Sequence, residues 1–250
     1  MMSPGRLAAK IRHHGEILLM CDYDGTLVPL TSRPELARPG KNLLKLLQYL
    51  LQRQGLHLVI ISGRSLADLR HLLPVPGLWL AGHHGTRVVD PKGEVIALSP
   101  PAPGDIPWTK IFSLARKIAA GIPGLLVENK GENLALHYRL AAPGDAAAAL
   151  EGFRREVKPY LKYGLEFIAG HKVLELRPRG AHKGVAINYF TRRWPRALPL
   201  YLGDDSTDED AFNALPANGL AVGIGPRFSG RTPYFLASPV EVSHFLFGLA

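Results

Sequence analysis

The stretch of sequence that decides the fold is ILLMCDYDGT, residues 17–26. Five apolar residues are followed by two acids, Asp22 and Asp24, with one residue between them. A short, continuous apolar run predicts a strand buried on both faces of a parallel sheet. In open α/β sheets, ligands collect at the carboxyl ends of the strands. The stretch therefore predicts a strand that carries two carboxylates to the functional edge of a sheet, and a plain Asp-rich turn is the alternative interpretation.

Length and composition predict an ordinary globular protein. A chain of 250 residues can form one large or two modest domains, and 46% hydrophobic with 20% charged residues is usual for a soluble protein. No apolar run approaches the roughly 18 residues that a membrane span needs. The apolar run after Lys10 and Arg12 is too short for a signal peptide. We expect a cytoplasmic protein without membrane partners.

The single cysteine and the net charge of +9 exclude some functions and disfavour others. One cysteine, Cys21, allows no internal disulfide. A thiol phosphatase usually has an arginine six residues after its cysteine, but this chain has Leu27 there. Cys21 is therefore interpreted as a small buried apolar residue. The basic residues are scattered, so we favour a solvated surface with local positive potential for an anionic substrate over nucleic-acid binding.

Two parts of the chain share one alternating pattern of strands and helices. Strands are predicted at 56–61 and 78–81, a hairpin at 87–98, and further strands at 198–202 and 219–222. Helices are predicted at 41–54, 66–73, 184–193, 211–215 and 240–249. This pattern predicts an α/β fold, a Rossmann-like core with a parallel sheet.

The middle of the chain has a different pattern. A linker, Pro100-Pro101-Ala102-Pro103-Gly104, precedes a helix at 108–120 and strands at 125–128 and 133–140. A second helix at 145–161, capped by Asp145, precedes strands at 165–169 and 172–177. Helix-strand-strand, repeated, predicts an inserted α+β cap domain. We assign residues 1–102 and 179–250 to the core and residues 103–178 to the cap.

Strand alternation predicts that the cap sheet has one apolar and one polar face. Leu134 and Leu136 belong to the apolar face. The charged residues predicted on the other face are Glu128, Lys130, Arg139 and Glu175. An ordinary solvent-facing sheet is the alternative interpretation of this pattern.

Several polar residues follow the strands of the core. Asp22 and Asp24 follow the first strand, Ser62 the second and Asp204 the fourth, and Lys183 begins the helix before the fourth. Carboxylates gathered in a cleft repel one another, and a divalent cation removes that repulsion. Mg²⁺ prefers carboxylates, phosphate oxygens and waters as ligands. The lysine and the hydroxyl suit a phosphoryl group.

These residues carry a family resemblance. Asp22-Tyr23-Asp24-Gly25-Thr26, Ser62-Gly63-Arg64, Lys183 and Gly203-Asp204-Asp205-x-x-Asp208 resemble the four motifs of the haloacid-dehalogenase superfamily of phosphatases, in the right order. Within it, the chain is similar to the trehalose-6-phosphate phosphatase family. The supporting stretches include residues 127–131, 136–139, 175–178 and 182–184. Asn129 stands where the family pattern has an aspartate, whereas Glu128 and Lys130 beside it agree with that pattern.

The resemblance implies a mechanism. Asp22 is the nucleophile that forms an aspartyl-phosphate, and Asp24 is the general acid and base. The carboxylates of Asp22 and Asp204 and the backbone carbonyl of Asp24 would ligate Mg²⁺. The expected reaction is hydrolysis of trehalose 6-phosphate to trehalose and phosphate, by a monomer.

The resemblance also implies binding roles. The expected phosphate-binding residues are Ser62, Gly63 and Lys183. The expected substrate-binding residues are Arg64, Glu128, Lys130, Arg139 and Glu175. Asp205 and Asp208 are expected to support the metal ligands.

Other substrates and a non-catalytic role are alternative interpretations of the sequence. The substrate of such an enzyme could instead be glucosyl-3-phosphoglycerate, mannosyl-3-phosphoglycerate or sucrose 6-phosphate. A non-catalytic module on the same fold is a further alternative, which the intact acids disfavour. His83 and His84 are expected on an extended segment, where neighbouring side chains point in opposite directions, so a shared metal site is not expected and a structural or cap-contacting role is favoured.

Overall fold

The computed structural model describes residues 3–98, 105–170, 172–225 and 232–250, and the chain forms two compact units. The core unit contains Met1–Leu98 and His182–Ala250, and the cap unit contains Ser99–Ala181. The predicted linker Pro100–Gly104 and the predicted boundary after residue 102 lie outside the described residues.

Helices and strands alternate along most of the described chain. The helices are α1 (Pro4–Ile11), α2 (Lys41–Gln52), α3 (Leu66–Leu72), α4 (Trp108–Ala120), α5 (Pro143–Val157), α6 (Gly184–Arg193), α7 (Glu209–Ala214) and α8 (Pro239–Leu249). The strands are β1 (Ile17–Cys21), β2 (Leu56–Ile61), β3 (Trp79–Gly82), β4 (Arg87–Val89), β5 (Val95–Ala97), β6 (Leu126–Asn129), β7 (Leu134–His137), β8 (Leu165–Gly170), β9 (Val173–Pro178), β10 (Leu198–Gly203), β11 (Leu220–Ile224) and β12 (Tyr234–Leu236).

The core unit is built on an eight-stranded sheet in the order β12-β11-β10-β1-β2-β3-β4-β5. Neighbours from β12 to β3 are parallel, and the β4–β5 hairpin adds antiparallel strands at one edge. Cys21 pairs with Leu202 on one side and with Ile60 on the other. Because β1, β2 and β10 end nearly level, the residues that follow these three strands lie along one edge of the sheet. The predicted Rossmann-like fold requires this arrangement.

Strand β1 is buried on both faces because helices cover both sides of the sheet. Ile17, Leu19 and Cys21 pack in one apolar cluster with α1, α2 and α8. Leu18 and Met20 pack in a second cluster with α6 and α7. Each fully buried leucine or isoleucine stabilises the fold by about 1.5–3 kcal/mol relative to an exposed one. Cys21 is buried as predicted, and burial raises the pKa of its thiol.

Helix α1 has no counterpart among the sequence predictions. Ser3 caps it by accepting a hydrogen bond from the Arg6 N–H (3.4 Å), and Pro4 occupies its first turn. The helix packs against α8, where a Cβ on Gly248 would lie 2.7 Å from the Cβ of Ala8. Only the packed structure explains this glycine, since it allows two helices to approach closely.

The cap unit has the predicted helix-strand-strand repeat, with a four-stranded antiparallel sheet in the order β6-β7-β9-β8. Leu134, Leu136, Leu174 and Leu176 pack against α4 and α5. On the opposite face, Glu128 pairs with Ala135, which pairs with Glu175 across the sheet. The predicted division into an apolar and a polar face is confirmed for these strands.

Two local predictions in the cap unit are wrong. Strand β7 ends at His137 instead of residue 140, because a turn follows in which the Ala141 N–H bonds to the Tyr138 carbonyl; Arg139 therefore lies in this turn and not on a strand. Helix α5 begins at Pro143 after Ala142, so Asp145 lies in the first turn and is not the cap. Among the described residues, no helix is both long and apolar enough to span a bilayer.

Candidate active site

The chain turns sharply after β1, and this turn separates Asp22 from Asp24. The Asp22 N–H still donates to the Leu202 carbonyl (2.9 Å), so Asp22 is the last residue in the parallel ladder. The N–H groups of Leu27 and Val28 then bond back to the Tyr23 carbonyl (3.0 and 3.1 Å). Within the turn Gly25 has a φ of +90°, a conformation that glycine adopts readily.

Lys183 joins two of the acids in the core. Its Nζ donates to Asp22 Oδ1 and to Asp208 Oδ1, both at 2.6 Å, and all three side chains are buried. Burial would lower the pKa of Lys183, but Asp208 and Asp22 outweigh it and raise the pKa above its usual value. Lys183 is therefore a fixed positive charge beside Asp22.

Asp208 organises the acidic residues around it through four donors. Its Oδ1 accepts from Lys183 Nζ and from the Tyr201 hydroxyl, and its Oδ2 accepts from the N–H groups of Asp204 (2.9 Å) and Asp205 (3.0 Å). Asp205 in turn caps this turn by accepting the Ser206 N–H (2.6 Å). With both oxygens engaged, Asp208 fixes the backbone that carries Asp204. This arrangement agrees with the supporting role expected for Asp208.

The residues present fit a divalent cation. Oxygens of Asp22, Asp204 and Asp208 lie within 4.8 Å of one another, and Lys183 compensates only part of their charge. Burial raises the pKa of Asp22 above its usual range; Lys183 opposes this rise, and Asp208 and Asp204 add to it. Carboxylate oxygens are the ligands that hard cations prefer. Because Asp208 already accepts four hydrogen bonds, Asp22 and Asp204 are the carboxylates suited to hold the ion.

The carboxylate of Asp24 lies outside this acidic cluster and pairs with Arg64. Arg64 Nε donates to one oxygen and Nη2 to the other, both at 2.7 Å, and Nη2 also donates to the Pro34 carbonyl (2.8 Å). The guanidinium lies over the Tyr23 ring, 5.3 Å from its centre. A bidentate pair of this kind fixes both position and orientation. Arg64, expected to bind substrate, thus also holds the expected acid–base residue.

Ser62 and Gly63 lie directly after β2, the strand that pairs with β1. The Ser62 N–H donates to the Ala81 carbonyl (2.8 Å), and Ser62 Oγ accepts from the Arg64 N–H (3.2 Å). The side chain of Ser62 is buried. The expected phosphate-binding residues Ser62, Gly63 and Lys183 belong to the same unit as Asp22.

The expectation that His83 and His84 lie on an extended segment is wrong. The segment His83–Gly85 is a short 3₁₀ turn in which φ is 50° at His83 and 55° at His84. His84 is buried.

The polar face of the cap sheet contains a compact group of charged residues. Lys130 Nζ bonds to Glu175 Oε1 and lies 3.9 Å from Glu128 Oε2, and His137 Nε2 lies 2.7 Å from the same oxygen. Burial would raise the pKa of Glu128, but Lys130 and the hydrogen bond with His137 outweigh it and lower the pKa below its ordinary value. Of the four residues predicted on this face, Glu128, Lys130 and Glu175 thus form one group of contacting side chains. Arg139 lies in the following turn.

Three residues that support these groups had no role predicted from the sequence. The Tyr201 hydroxyl donates to Asp208 from the middle of a buried strand. A hydroxyl among apolar residues is the feature of the sequence that could have indicated this role. Thr26 donates to Asp204 Oδ1 (3.4 Å), and its place in the first motif was its signal. Strand alternation predicts His137 on the polar face, opposite Leu134 and Leu136, but does not indicate its pairing with Glu128.

Comparison with known proteins identifies the family. A family model described as trehalose-phosphatase matches residues 20–231. The trehalose-phosphate phosphatase of Mycobacterium marinum is 34% identical over 247 residues, covering 92% of this chain; the chain spans only 60% of that relative's length. The C-terminal domain of the C. albicans trehalose-6-phosphate phosphatase superposes with a TM-score of 0.85 at 26% identity, covering 99% of this chain and 96% of that one. The Aspergillus fumigatus trehalose-6-phosphate phosphatase gives a TM-score of 0.65 at 29% identity, covering 99% and 97%.

The matched range includes all the residues of the core unit described for this site, from Asp22 to Asp208. We therefore conclude that the chain belongs to the trehalose-phosphatase family.

Proposed function

We propose that this protein is a Mg²⁺-dependent phosphatase that hydrolyses trehalose 6-phosphate to trehalose and inorganic phosphate. The observation that carries the proposal is the position of Asp22, at the end of a buried strand, bonded to Lys183 and within a group of three carboxylates. The substrate follows from the family to which the chain belongs.

In the first step, a carboxylate oxygen of Asp22 attacks phosphorus. The new bond joins Asp22 to phosphorus, the ester bond to the sugar oxygen breaks, and that oxygen takes a proton from Asp24. Lys183 supports charge on the phosphoryl oxygens as a fixed cation, and Ser62 and the Gly63 N–H donate to them. Arg64 holds the Asp24 carboxylate through two parallel hydrogen bonds while no substrate is bound. Asp24 must leave this pair and take up a proton before it can act as the acid of the first step.

In the second step, a water molecule attacks the phosphorus of the aspartyl-phosphate. Asp24 takes a proton from this water, the bond between Asp22 and phosphorus breaks, and inorganic phosphate leaves. Mg²⁺ would be held by the carboxylates of Asp22 and Asp204 and the backbone carbonyl of Asp24, and when bound it supplies positive charge against the phosphoryl oxygens. Asp205 and Asp208 support its ligands through the hydrogen bonds described above.

The sugar would be recognised by the charged residues of the cap unit. We propose that hydroxyl groups of trehalose bond to Glu128, Lys130, Arg139 and Glu175. Carboxylates accept and cationic groups donate several directed hydrogen bonds, which suits a polyol. The ion pairs among three of these residues hold them in fixed positions and reduce the ordering that binding would require.

A substrate panel tests this function. Phosphate release from trehalose 6-phosphate, sucrose 6-phosphate, glucosyl-3-phosphoglycerate and mannosyl-3-phosphoglycerate is measured with Mg²⁺ and with EDTA. We expect the highest kcat/KM for trehalose 6-phosphate and loss of activity in EDTA. Near-normal turnover of Asp22→Asn would contradict the mechanism, and a preference for another ester would contradict the substrate. The monomeric state, the cytoplasmic location and the absence of nucleic-acid partners stay predictions.

A further inference from the structure

The segment after β3 adopts a costly backbone conformation. His83 and His84 have consecutive positive φ angles, 50° and 55°. Residues with a Cβ avoid this left-handed region because the Cβ approaches the following carbonyl oxygen. Such strain persists only where the surrounding structure imposes it, and it occurs often at functional sites. Two adjacent residues of this kind therefore need an explanation.

The strained backbone bonds to the loop that contains Ser62. The His84 N–H donates to the Ser62 carbonyl (3.0 Å), and the His83 N–H donates to the Arg64 carbonyl (2.8 Å). The two bonds hold the carbonyls on both sides of Gly63. The strained segment thus fixes the backbone of the loop from one side.

The side chain of His84 completes this support. A Cβ on Gly63 would lie 2.7 Å from Cε1 and 3.0 Å from Nε2 of His84, so the imidazole ring lies directly against the Gly63 backbone. The ring is almost fully buried. The segment also approaches the other anion-binding residue, because a Cβ on Gly85 would lie 3.2 Å from the Cα of Lys183. One short segment therefore contacts both the Ser62–Gly63 loop and the backbone of Lys183.

We propose that His84 is a positioning residue for the phosphate site. Its ring sets the position of the Gly63 backbone, and through it the positions of the Ser62 hydroxyl and the Gly63 N–H relative to Lys183. This inference rests on the phosphate-binding role proposed for Ser62, Gly63 and Lys183. In this role His84 fixes the position of the Ser62 hydroxyl and the Gly63 N–H and does not itself contact the substrate.

The test is a double-mutant cycle of His84→Ala and Gly63→Ala in the full chain. Displacing catalytic groups by about 1 Å costs up to about 100-fold in rate. We expect each single variant to lower kcat/KM about 10- to 100-fold and to weaken competitive inhibition by inorganic phosphate. In the double variant, the new Cβ occupies space that the ring has left. We therefore expect Gly63→Ala to cost no more than about threefold in the His84→Ala background, because contacting residues are not additive.

A matched control is His57→Ala, on strand β2, which leads into the Ser62–Gly63 loop. His57 stacks on Trp194, with ring centres 4.3 Å apart, and pairs with Glu16 (2.8 Å). We expect this variant to lower the melting temperature and to leave kcat, KM and phosphate inhibition of the folded enzyme unchanged. If His84→Ala does not fold, His84→Asn replaces it, since asparagine tolerates left-handed backbone and has a smaller side chain.

Two outcomes would overturn the inference. One is unchanged phosphate inhibition in the His84 variant, and the other is a double variant whose loss equals the product of the two single losses. Ser62→Ala separates this failure from a failure of the proposed site. If Ser62→Ala keeps full activity and phosphate inhibition, the phosphate site itself is wrong; if it loses both while His84→Ala does not, only the positioning role is wrong.

Discussion

Replacing Gly25 by alanine tests whether the acidic cluster depends on the close approach that this glycine permits. An added Cβ would lie 2.1 Å from Asp204 Oδ2 and 2.4 Å from its Cγ. Ordinary contacts between carbon and its neighbours are about 3.5 Å or longer, so the carboxylate must retreat by about 1.4 Å. Because Asp204 is a proposed ligand of Mg²⁺, this displacement acts directly on the metal site.

The magnitude follows from the displacement and from the backbone. A misplacement of about 1 Å costs about 100-fold in rate, and disturbing the surroundings of a metal ligand typically weakens metal binding about 10- to 100-fold. The φ of +90° at position 25 adds a backbone strain of about 1–3 kcal/mol for alanine. We expect kcat to fall about 100-fold and the Mg²⁺ concentration for half-maximal activity to rise at least tenfold.

The assay is phosphate release from trehalose 6-phosphate over a Mg²⁺ titration, with thermal unfolding measured in parallel. Gly225→Ala is the matched control, because Gly225 also has a positive φ (+73°), but a Cβ added there would meet no heavy atom of the described residues within 4 Å. It should lose stability and keep the Mg²⁺ dependence of the wild type. The proposed role of Gly25 is refuted if Gly25→Ala keeps the wild-type Mg²⁺ dependence, or if Gly225→Ala shifts it equally.

Three further predictions concern the supporting groups. Tyr201→Phe removes one of the four donors to Asp208, so unfolding should become easier by about 1.5–3 kcal/mol, measured by urea denaturation; an unchanged midpoint would exclude a contribution of that hydrogen bond. Lys130 and His137 lower the pKa of Glu128, so the ionised Glu128 stabilises the cap unit at pH values above the ordinary glutamate pKa of about 4.3, and this stability is lost as the pH falls through the lowered pKa. Glu128→Gln should therefore reduce the loss of unfolding free energy at acidic pH. The same loss in the variant and the wild type would contradict the prediction. Mg²⁺ should raise the melting temperature, because it binds the folded protein, and EDTA should reverse this rise; an unchanged melting temperature would argue against the cation site.

Local chemistry determined much of the fold. The continuous apolar run from Ile17 to Cys21 predicted a doubly buried strand, because such a run has no polar face to turn toward water. Alternation along the cap strands likewise predicted the two faces of that sheet. Boundaries were less certain where turns compete with strands, as at Tyr138–Leu140. Helix α1 was missed although its start has a local signal, Ser3 followed by Pro4. Its packing against α8 is decided only by tertiary structure.

For the candidate site, too, the sequence indicated which residues take part, and the tertiary structure decided their contacts. The order and spacing of the motifs were sufficient to name Asp22 and Asp204, because parallel strands bring their carboxyl ends to one edge whatever the intervening sequence. Lys183 could be named with them because it begins the helix that leads into β10, and such a helix starts at that same edge. Which oxygen meets which donor was decided only by tertiary structure. The pairing of Arg64 with Asp24 and the packing of His84 on Gly63 depend on distances between residues far apart in the chain. Periodicity reports the face on which a residue lies, whereas contacts depend on how separate elements are packed together.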